Sequence, residues 1–333
     1  MNVSLRTQAC VLLGCEHPVV LAGMGGVGRS ELVAAVTQAG GFGFLGMVRE
    51  PPSLIHREVE AVRRVTSKPF GANLIPAATD GDLLEQQLVT CIELGVPVVA
   101  LFWDLSREVV RRLCDAGILV VCQVGSAEEG ESAQRAGAQI LIAQGVEAGG
   151  HVRGTTPLEL LLPEVVSSSS VPVLAAGGMV DGRDLASALR LGAQGVVIGT
   201  AFLALPESFA HDYHKQRILG AKAEETILTD IFHINWPMGA SVRVLRNSTT
   251  RGERGDPFDS APIIGEEEGR PIYLFSTDSP LRSMTGDFER MALYAGHGVD
   301  RINAIVPAGE RVAAIVSEAA RLLDESMSAR SRG

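Results

Sequence analysis

Cysteine is scarce in this chain and follows no ligand pattern. There are five in 333 residues (Cys10, Cys15, Cys91, Cys114 and Cys122), with no CxxC pair. An odd set without short spacings argues against a disulfide framework and points to a reducing, cytoplasmic compartment. Cys91 and Cys122 sit in apolar surroundings and read as small core residues. Basic runs are missing too. With 29 Lys and Arg against 39 Asp and Glu, the net charge is −10, so nucleic acid and anionic membranes are poor partners. An anionic cofactor stays open, because backbone amides can hold phosphate. The apolar stretch around Val11 is interrupted by Arg6 and Glu16, so neither a signal peptide nor a spanning segment is expected at the start. The seven histidines lack metal-ligand spacing, and no metal is expected. No GxSxG nucleophile elbow occurs.

Glycine is abundant, at 37 residues, and its placement is regular. Eight β-rich runs are expected as strands: Val19–Ala22, Gly43–Gly46, Phe70–Leu74, Val98–Phe102, Leu119–Val124, Ile140–Ala143, Val173–Ala176 and Val196–Gly199. Amphipathic stretches lie between them, and several end in a glycine (Gly40, Gly95, Gly117, Gly137, Gly192), the residue that stops a helix one position past its last turn. Eight βα units recurring roughly every 25 residues imply right-handed crossovers and a parallel sheet, and eight such units close into a (β/α)8 TIM barrel. A doubly wound open sheet is the rival. Residues 1–205 are expected to form the barrel domain. Residues 206–333 are expected to form an appended, mostly helical C-terminal lobe and tail over the barrel mouth. Within that lobe Pro206–Ala223 reads as helical, Thr226–Ser248 as mixed, Arg251–Arg270 as an exposed loop, and Glu310–Leu323 as an amphipathic helix.

In such a barrel chemistry gathers at the carboxyl ends of the strands. Those ends carry Ala22-Gly23-Met24, Asn73, Gln123, Gln144 with the following EAGGH turn, Gly177-Gly178 and Gly199-Thr200. The set is poor in charge and rich in glycine and amides, which suits a flat ring system better than a metal. Gly177, Gly178, Gly199 and Thr200, at the last two strands, are placed to hold phosphate through amides, with a hydroxyl bond from Thr200. His151 follows the Gly149-Gly150 pair and is placed as a proton-transfer group with a pKa near neutral.

These residues carry a resemblance. LAGMGGVGRSELVAAVTQAGGFGFLG, KPFGANLIP, AQGVEAGGH, VPVLAAGGMVDGRDLASALRLGAQGVVIGTAFL and LYAGHGV resemble stretches of the nitronate monooxygenase family of FMN-dependent TIM-barrel enzymes. The same motifs occur in flavin-dependent enoyl-acyl-carrier-protein reductases. The resemblance implies FMN as cofactor, with Ala22, Gly23 and Met24 flanking the flavin and Asn73 and Gln123 bonded to its polar edge. It also implies Gly149 and Gly150 lining the ring, and Gly177, Gly178, Gly199 and Thr200 at the phosphate. The implied reaction is oxidation of an alkyl nitronate or nitroalkane by O2 to a carbonyl product and nitrite, through a flavin semiquinone, with His151 as base for the neutral substrate. The alternatives are an NAD(P)H-dependent enoyl-thioester reductase, a specialised biosynthetic flavoenzyme, or a non-enzymatic flavin-binding protein. A homodimer is the default assembly.

Other features stay two-sided. His297 either binds an anionic substrate or lies in a surface loop. Trp103 either narrows the pocket or covers the barrel top. Arg153 either attracts an anion or forms a salt bridge. GMGGVG at Gly23–Gly28 lacks the acidic residue of a dinucleotide fingerprint and reads as a turn beneath the flavin. AHDYHKQ, with His211, Asp212, Tyr213 and His214, reads as a solvated helix.

Overall fold

Alternation of side chains between two apolar environments organises the structure. The computed structural model describes residues 5–330. In chain order its barrel strands are β1 (Val19–Leu21), β2 (Phe42–Gly46), β3 (Gly71–Leu74), β4 (Val98–Phe102), β5 (Leu119–Val124) and β6 (Ile140–Gln144). A two-residue strand, β7 (Gly150–His151), stands outside the barrel, and β8 (Val173–Ala176) and β9 (Val196–Ile198) complete it. The eight strands are parallel and the sheet closes through β1 against β9, so the open-sheet rival is set aside. Each expected strand is present with its ends within one residue.

Odd and even positions divide cleanly. Val20, Phe42, Phe44, Val98, Ala100, Val121, Ile140, Ile142, Leu174, Ala176 and Val197 form one buried inner cluster. Their neighbours, such as Leu21, Leu45, Val99, Cys122, Leu141, Ala175 and Ile198, belong to the larger cluster between strands and helices. This period of two on both faces is what a closed, helix-covered sheet requires. The helix α1 (Gln8–Leu13) adds Ala9, Cys10 and Leu13 to the inner cluster and closes the amino-terminal end of the barrel. Thr7 ties it down, its hydroxyl donating to the Gln194 carbonyl at 2.6 Å.

The crossover helices are α2 (Ser30–Gln38), α3 (Pro52–Val65), α4 (Gly81–Glu93), α5 (Arg107–Asp115), α6 (Ala127–Ala136), α7 (Leu158–Ser168) and α8 (Gly182–Arg190). Asp80, Ser106, Ser126 and Asp181 cap four of them through side-chain oxygens. A short helix, α9 (Thr200–Leu203), begins directly after β9.

The C-terminal third carries more strand than the helical lobe expected. Helix α10 spans only Asp212–Leu219 of the expected 206–223. Strands β10 (Thr226–Thr229) and β11 (Val242–Leu245) form a sheet with β7, and this sheet fixes His151 opposite Val242. The stretch expected as one exposed loop divides in two. Residues 251–261 are largely exposed, whereas β12 (Ile263–Glu267) and β13 (Arg270–Tyr273) form a hairpin that also pairs with β14 (Met284–Gly286). The last helix, α11 (Ala308–Arg330), lies along α8 on the barrel wall. There Glu318 accepts a bond from the Gly182 amide at 2.9 Å. No helix among the described residues is long and apolar enough to cross a membrane.

Candidate active site

The carboxyl ends of the barrel strands open into a cavity of about 460 Å³. All twelve residues singled out from sequence line it: Ala22, Gly23, Met24, Asn73, Gln123, Gly149, Gly150, His151, Gly177, Gly178, Gly199 and Thr200. Its wall is completed by residues that the sequence did not single out. From the loop after β2 come Val48, Arg49 and Glu50; from the C-terminal third come Asn235, Trp236, Glu267, Arg270, Thr277, Asp278 and Tyr294.

The glycines shape the wall in two ways. Gly149 packs backbone against backbone, because a Cβ there would lie 2.5 Å from the Gly296 amide nitrogen. The EAGGH turn and the LYAGHGV segment thereby lock together, and the Thr200 hydroxyl accepts from that same Gly296 amide at 3.0 Å. Gly150 is different: it has φ +77° and a Cβ would meet nothing within 4 Å. It leaves room in the cavity that any other residue would occupy.

The amides of Asn73 and Gln123 reach the cavity from β3 and β5. Asn73 donates from Nδ2 to the Ala100 carbonyl at 3.2 Å. A flat, polar-edged ring with an attached anion fits this donor set. Glycine backbone lies at two adjacent strand ends, side-chain amides at two others, and cationic side chains are absent from the turns of β8 and β9.

His151 occupies the centre of this arrangement. Gln144 donates to its carbonyl at 2.9 Å and accepts from the Arg153 amide at 3.2 Å, which fixes the turn. The imidazole stacks on the indole of Trp236, with centroids 3.3 Å apart and planes inclined by 27°. Its Nε2 is buried without a hydrogen-bond partner. Although the residue keeps some surface toward the cavity, burial and then the charge of Arg49 lower its pKa to about 3. The near-neutral value expected from sequence is therefore corrected: the ring stays neutral across the physiological range.

Several two-sided features resolve. Arg153 does not line the cavity. It pairs with Asp104 at 2.9 Å and Glu129 at 2.7 Å and lies over the Trp103 ring. Trp103 is buried against Phe102 and Trp236, 5.5 Å between the two indole centroids, so it covers the barrel top and braces Trp236. His297 is an exposed residue on an adjoining cavity of about 300 Å³ that shares Gly177, Gly178, Met179 and Gly298 with the first. The solvated-helix reading of AHDYHKQ fails for His214 and Lys215, both buried: His214 donates to the Tyr294 carbonyl at 3.0 Å and Lys215 to the Ser208 carbonyl at 3.0 Å.

Backbone strain gathers at the mouth. Arg49 (φ +59°), Trp103 (+65°), Asp104 (+46°) and Asn235 (+70°) are four of the six non-glycine residues in the left-handed region among the described residues. Each costs on the order of 1 kcal/mol, and such strain persists where a side chain is needed in place.

Comparison with known proteins follows the same outline. The nitronate monooxygenase family model matches residues 6–318. A (3aS,4S,5R,7aS)-5-hydroxy-7a-methyl-1-oxo-octahydro-1H-indene-4-carboxyl-CoA dehydrogenase from Mycobacterium tuberculosis is 40% identical over 229 residues, covering 68% of this chain and 63% of that protein. The match thus spans less than two thirds of that relative. A probable nitronate monooxygenase from Staphylococcus haemolyticus is 33% identical over 286 residues, 73% of this chain and 78% of the relative. Among solved structures, FabK from Thermotoga maritima superposes with a TM-score of 0.84 at 30% identity, covering 97% of this chain and 99% of that one. A nitroalkane oxidase from Streptomyces ansochromogenes gives 0.76 at 31% identity, covering 95% and 99%. Because the family match runs through every barrel strand and the segments that line the mouth, the chain belongs to the nitronate monooxygenase family.

Proposed function

We propose that this protein is an FMN-dependent oxidoreductase that oxidises alkyl nitronates or nitroalkanes with O2, giving a carbonyl product and nitrite. The observation that carries this reading is the buried, unpartnered Nε2 of a neutral histidine on the wall of a glycine-lined cavity. FMN would be held by Gly177, Gly178, Gly199 and Thr200 at its phosphate. Ala22, Gly23, Met24, Gly149 and Gly150 would lie along its ring, and Asn73 and Gln123 at its polar edge. When bound, it supplies the electron transfer from substrate to O2.

The chain's own residues do the rest. Neutral imidazole is the basic form, so His151 can take the α-proton of a nitroalkane at Nε2 once the Trp236 cover on the ring shifts to admit the substrate. A pKa of about 3 makes the isolated ring a weak base. Proton transfer, however, leaves a nitronate anion beside the new imidazolium. An ion pair is far less costly in this surrounding than a lone buried charge, so the substrate itself restores the missing basicity. Trp236 and Tyr294 pack on the imidazole and keep water from it. Burial pushes the Tyr294 phenol up, and its hydroxyl donates to the Thr277 carbonyl at 2.7 Å, so it stays protonated and holds the wall.

A second reading is supported by the 40% identity to a carboxyl-CoA dehydrogenase and the likeness to FabK: redox chemistry on a thioester with reduced nicotinamide. Anaerobic mixing of the purified yellow protein with propyl nitronate or with NADH separates the two. A visible-spectrum change with nitronate and none with NADH supports the oxygenase. Rapid bleaching by NADH with no response to nitronate moves the assignment to the thioester reading.

A further inference from the structure

Arg49 is the charged group at the mouth whose pairing is incomplete. The carboxylates lining the cavity are already engaged. Glu50 bonds Arg29 at 2.9 Å, and Arg270 bonds both Glu267 at 2.7 Å and Asp278 at 3.0 Å. Arg49 has no carboxylate partner among the described residues. It donates from Nη1 to the Asn235 carbonyl at 3.2 Å and, at a long 3.5 Å, from Nη2 to the Thr277 hydroxyl. A guanidinium carries five donor hydrogens in a planar fork, so most of its capacity is unspent. Its charge reaches the far wall, where it adds to the burial that lowers the His151 pKa and opposes the burial that raises that of Tyr294.

Its backbone adds a second, independent observation. Arg49 holds φ +59°, a conformation that glycine would adopt without strain. The two bonds to Asn235 and Thr277 steer the fork across the mouth, and the cavity lies beside it. A half-buried cation with unspent donors, facing a neutral imidazole, is matched by a ligand that brings two coplanar oxygens and one negative charge.

We propose that Arg49 is the specificity-determining residue of this cavity, anchoring the oxyanion of a substrate that carries a nitronate or carboxylate group. The inference rests on reading the cavity as the substrate site; it does not depend on which reaction follows. In the oxygenase, the anchor binds preformed nitronate directly and meets the negative charge that appears on the nitro oxygens as His151 removes the α-proton. No group other than that proton moves.

The chain reports on this site by itself, because its two tryptophans, Trp103 and Trp236, both lie at the mouth. Tryptophan fluorescence of the holoenzyme is titrated with butanoate, which has the shape of propyl nitronate, and with neutral butanamide. Expected is a saturable response to butanoate and a response at least about tenfold weaker to butanamide. Arg49→Met should raise the butanoate Kd by about tenfold or more. Arg49→Lys, which keeps the charge and loses the fork, should fall between. In turnover, Arg49→Met should raise KM for propyl nitronate by a similar factor while leaving KM for 1-nitropropane unchanged. An unchanged butanoate Kd in Arg49→Met, or equal weakening of butanoate and butanamide, overturns the proposal. Butanoate binding that depends on Arg49, in a protein that turns over neither nitro compound, upholds the anion anchor and rejects the oxygenase reading alone.

Discussion

The imidazole of His151 lies on the indole of Trp236 at a centroid distance of 3.3 Å, which makes the basicity of the histidine a property of the loop that carries the tryptophan. Trp236→Ala should admit water to Nε2 and raise the His151 pKa from about 3 toward the ordinary value of about 6.5. Trp236→Phe should leave it low. Loss of the buried indole should also cost about 3 kcal/mol of stability. Titration of the imidazole proton resonances checks this, and an unchanged pKa in Trp236→Ala would show that the stack does not control the group.

A second histidine predicts a pH effect on stability. His214 is buried, its Nε2–H donates to the Tyr294 carbonyl, and its Nδ1 has no partner. Burial lowers its pKa to about 4, against about 6.5 in an unfolded chain. Between those values the unfolded chain binds a proton that the folded one refuses, so stability falls as pH drops through this window and levels below it. The effect is at most about 3 kcal/mol. His214→Gln keeps a donor for Tyr294 and removes the titration. Its melting temperature should decline less steeply than wild type between pH 6.5 and pH 4; parallel curves would contradict the assignment.

Two glycines separate cofactor room from structural room. Gly199 has φ −106°, and a Cβ there would make ordinary contacts with Met24 Sδ at 3.7 Å and Ala22 Cβ at 3.8 Å. Gly199→Ala should fold with stability within about 0.5 kcal/mol of wild type while lowering the flavin content of the purified protein. At Gly23 a Cβ would lie 2.2 Å from Asn73 Cβ, so Gly23→Ala should cost about 1–3 kcal/mol by displacing that side chain. The ratio of flavin to protein absorbance, read beside melting temperature, distinguishes the two. Unchanged flavin content in Gly199→Ala would move the phosphate site elsewhere.

The barrel was legible because each of its signals is local. Val98–Phe102 and Leu119–Val124 are apolar runs, and glycines such as Gly117 and Gly137 stop the helices beside them with positive φ. Strand-end positions then follow from register alone, which is why the twelve chosen residues share one cavity. The far wall was not legible. Ile263–Glu267 sits in an acidic, glycine-rich stretch that reads as loop, and becomes a strand only because Arg270–Tyr273 and Met284–Gly286 pair with it. Trp236 and Tyr294 reach His151 from segments with no periodic pattern, and Arg49 sits three residues past an obvious strand end in a conformation arginine seldom adopts. The depressed His151 pKa was hidden for the same reason: it depends on burial by residues distant in sequence.

The base role of His151 is tested most directly by His151→Asn, assayed with propyl nitronate and with 1-nitropropane at matched flavin content. The account predicts that kcat/KM for preformed nitronate stays within about threefold of wild type while that for the neutral nitroalkane falls by about 100-fold or more. Equal loss on both substrates, or none on either, would contradict it.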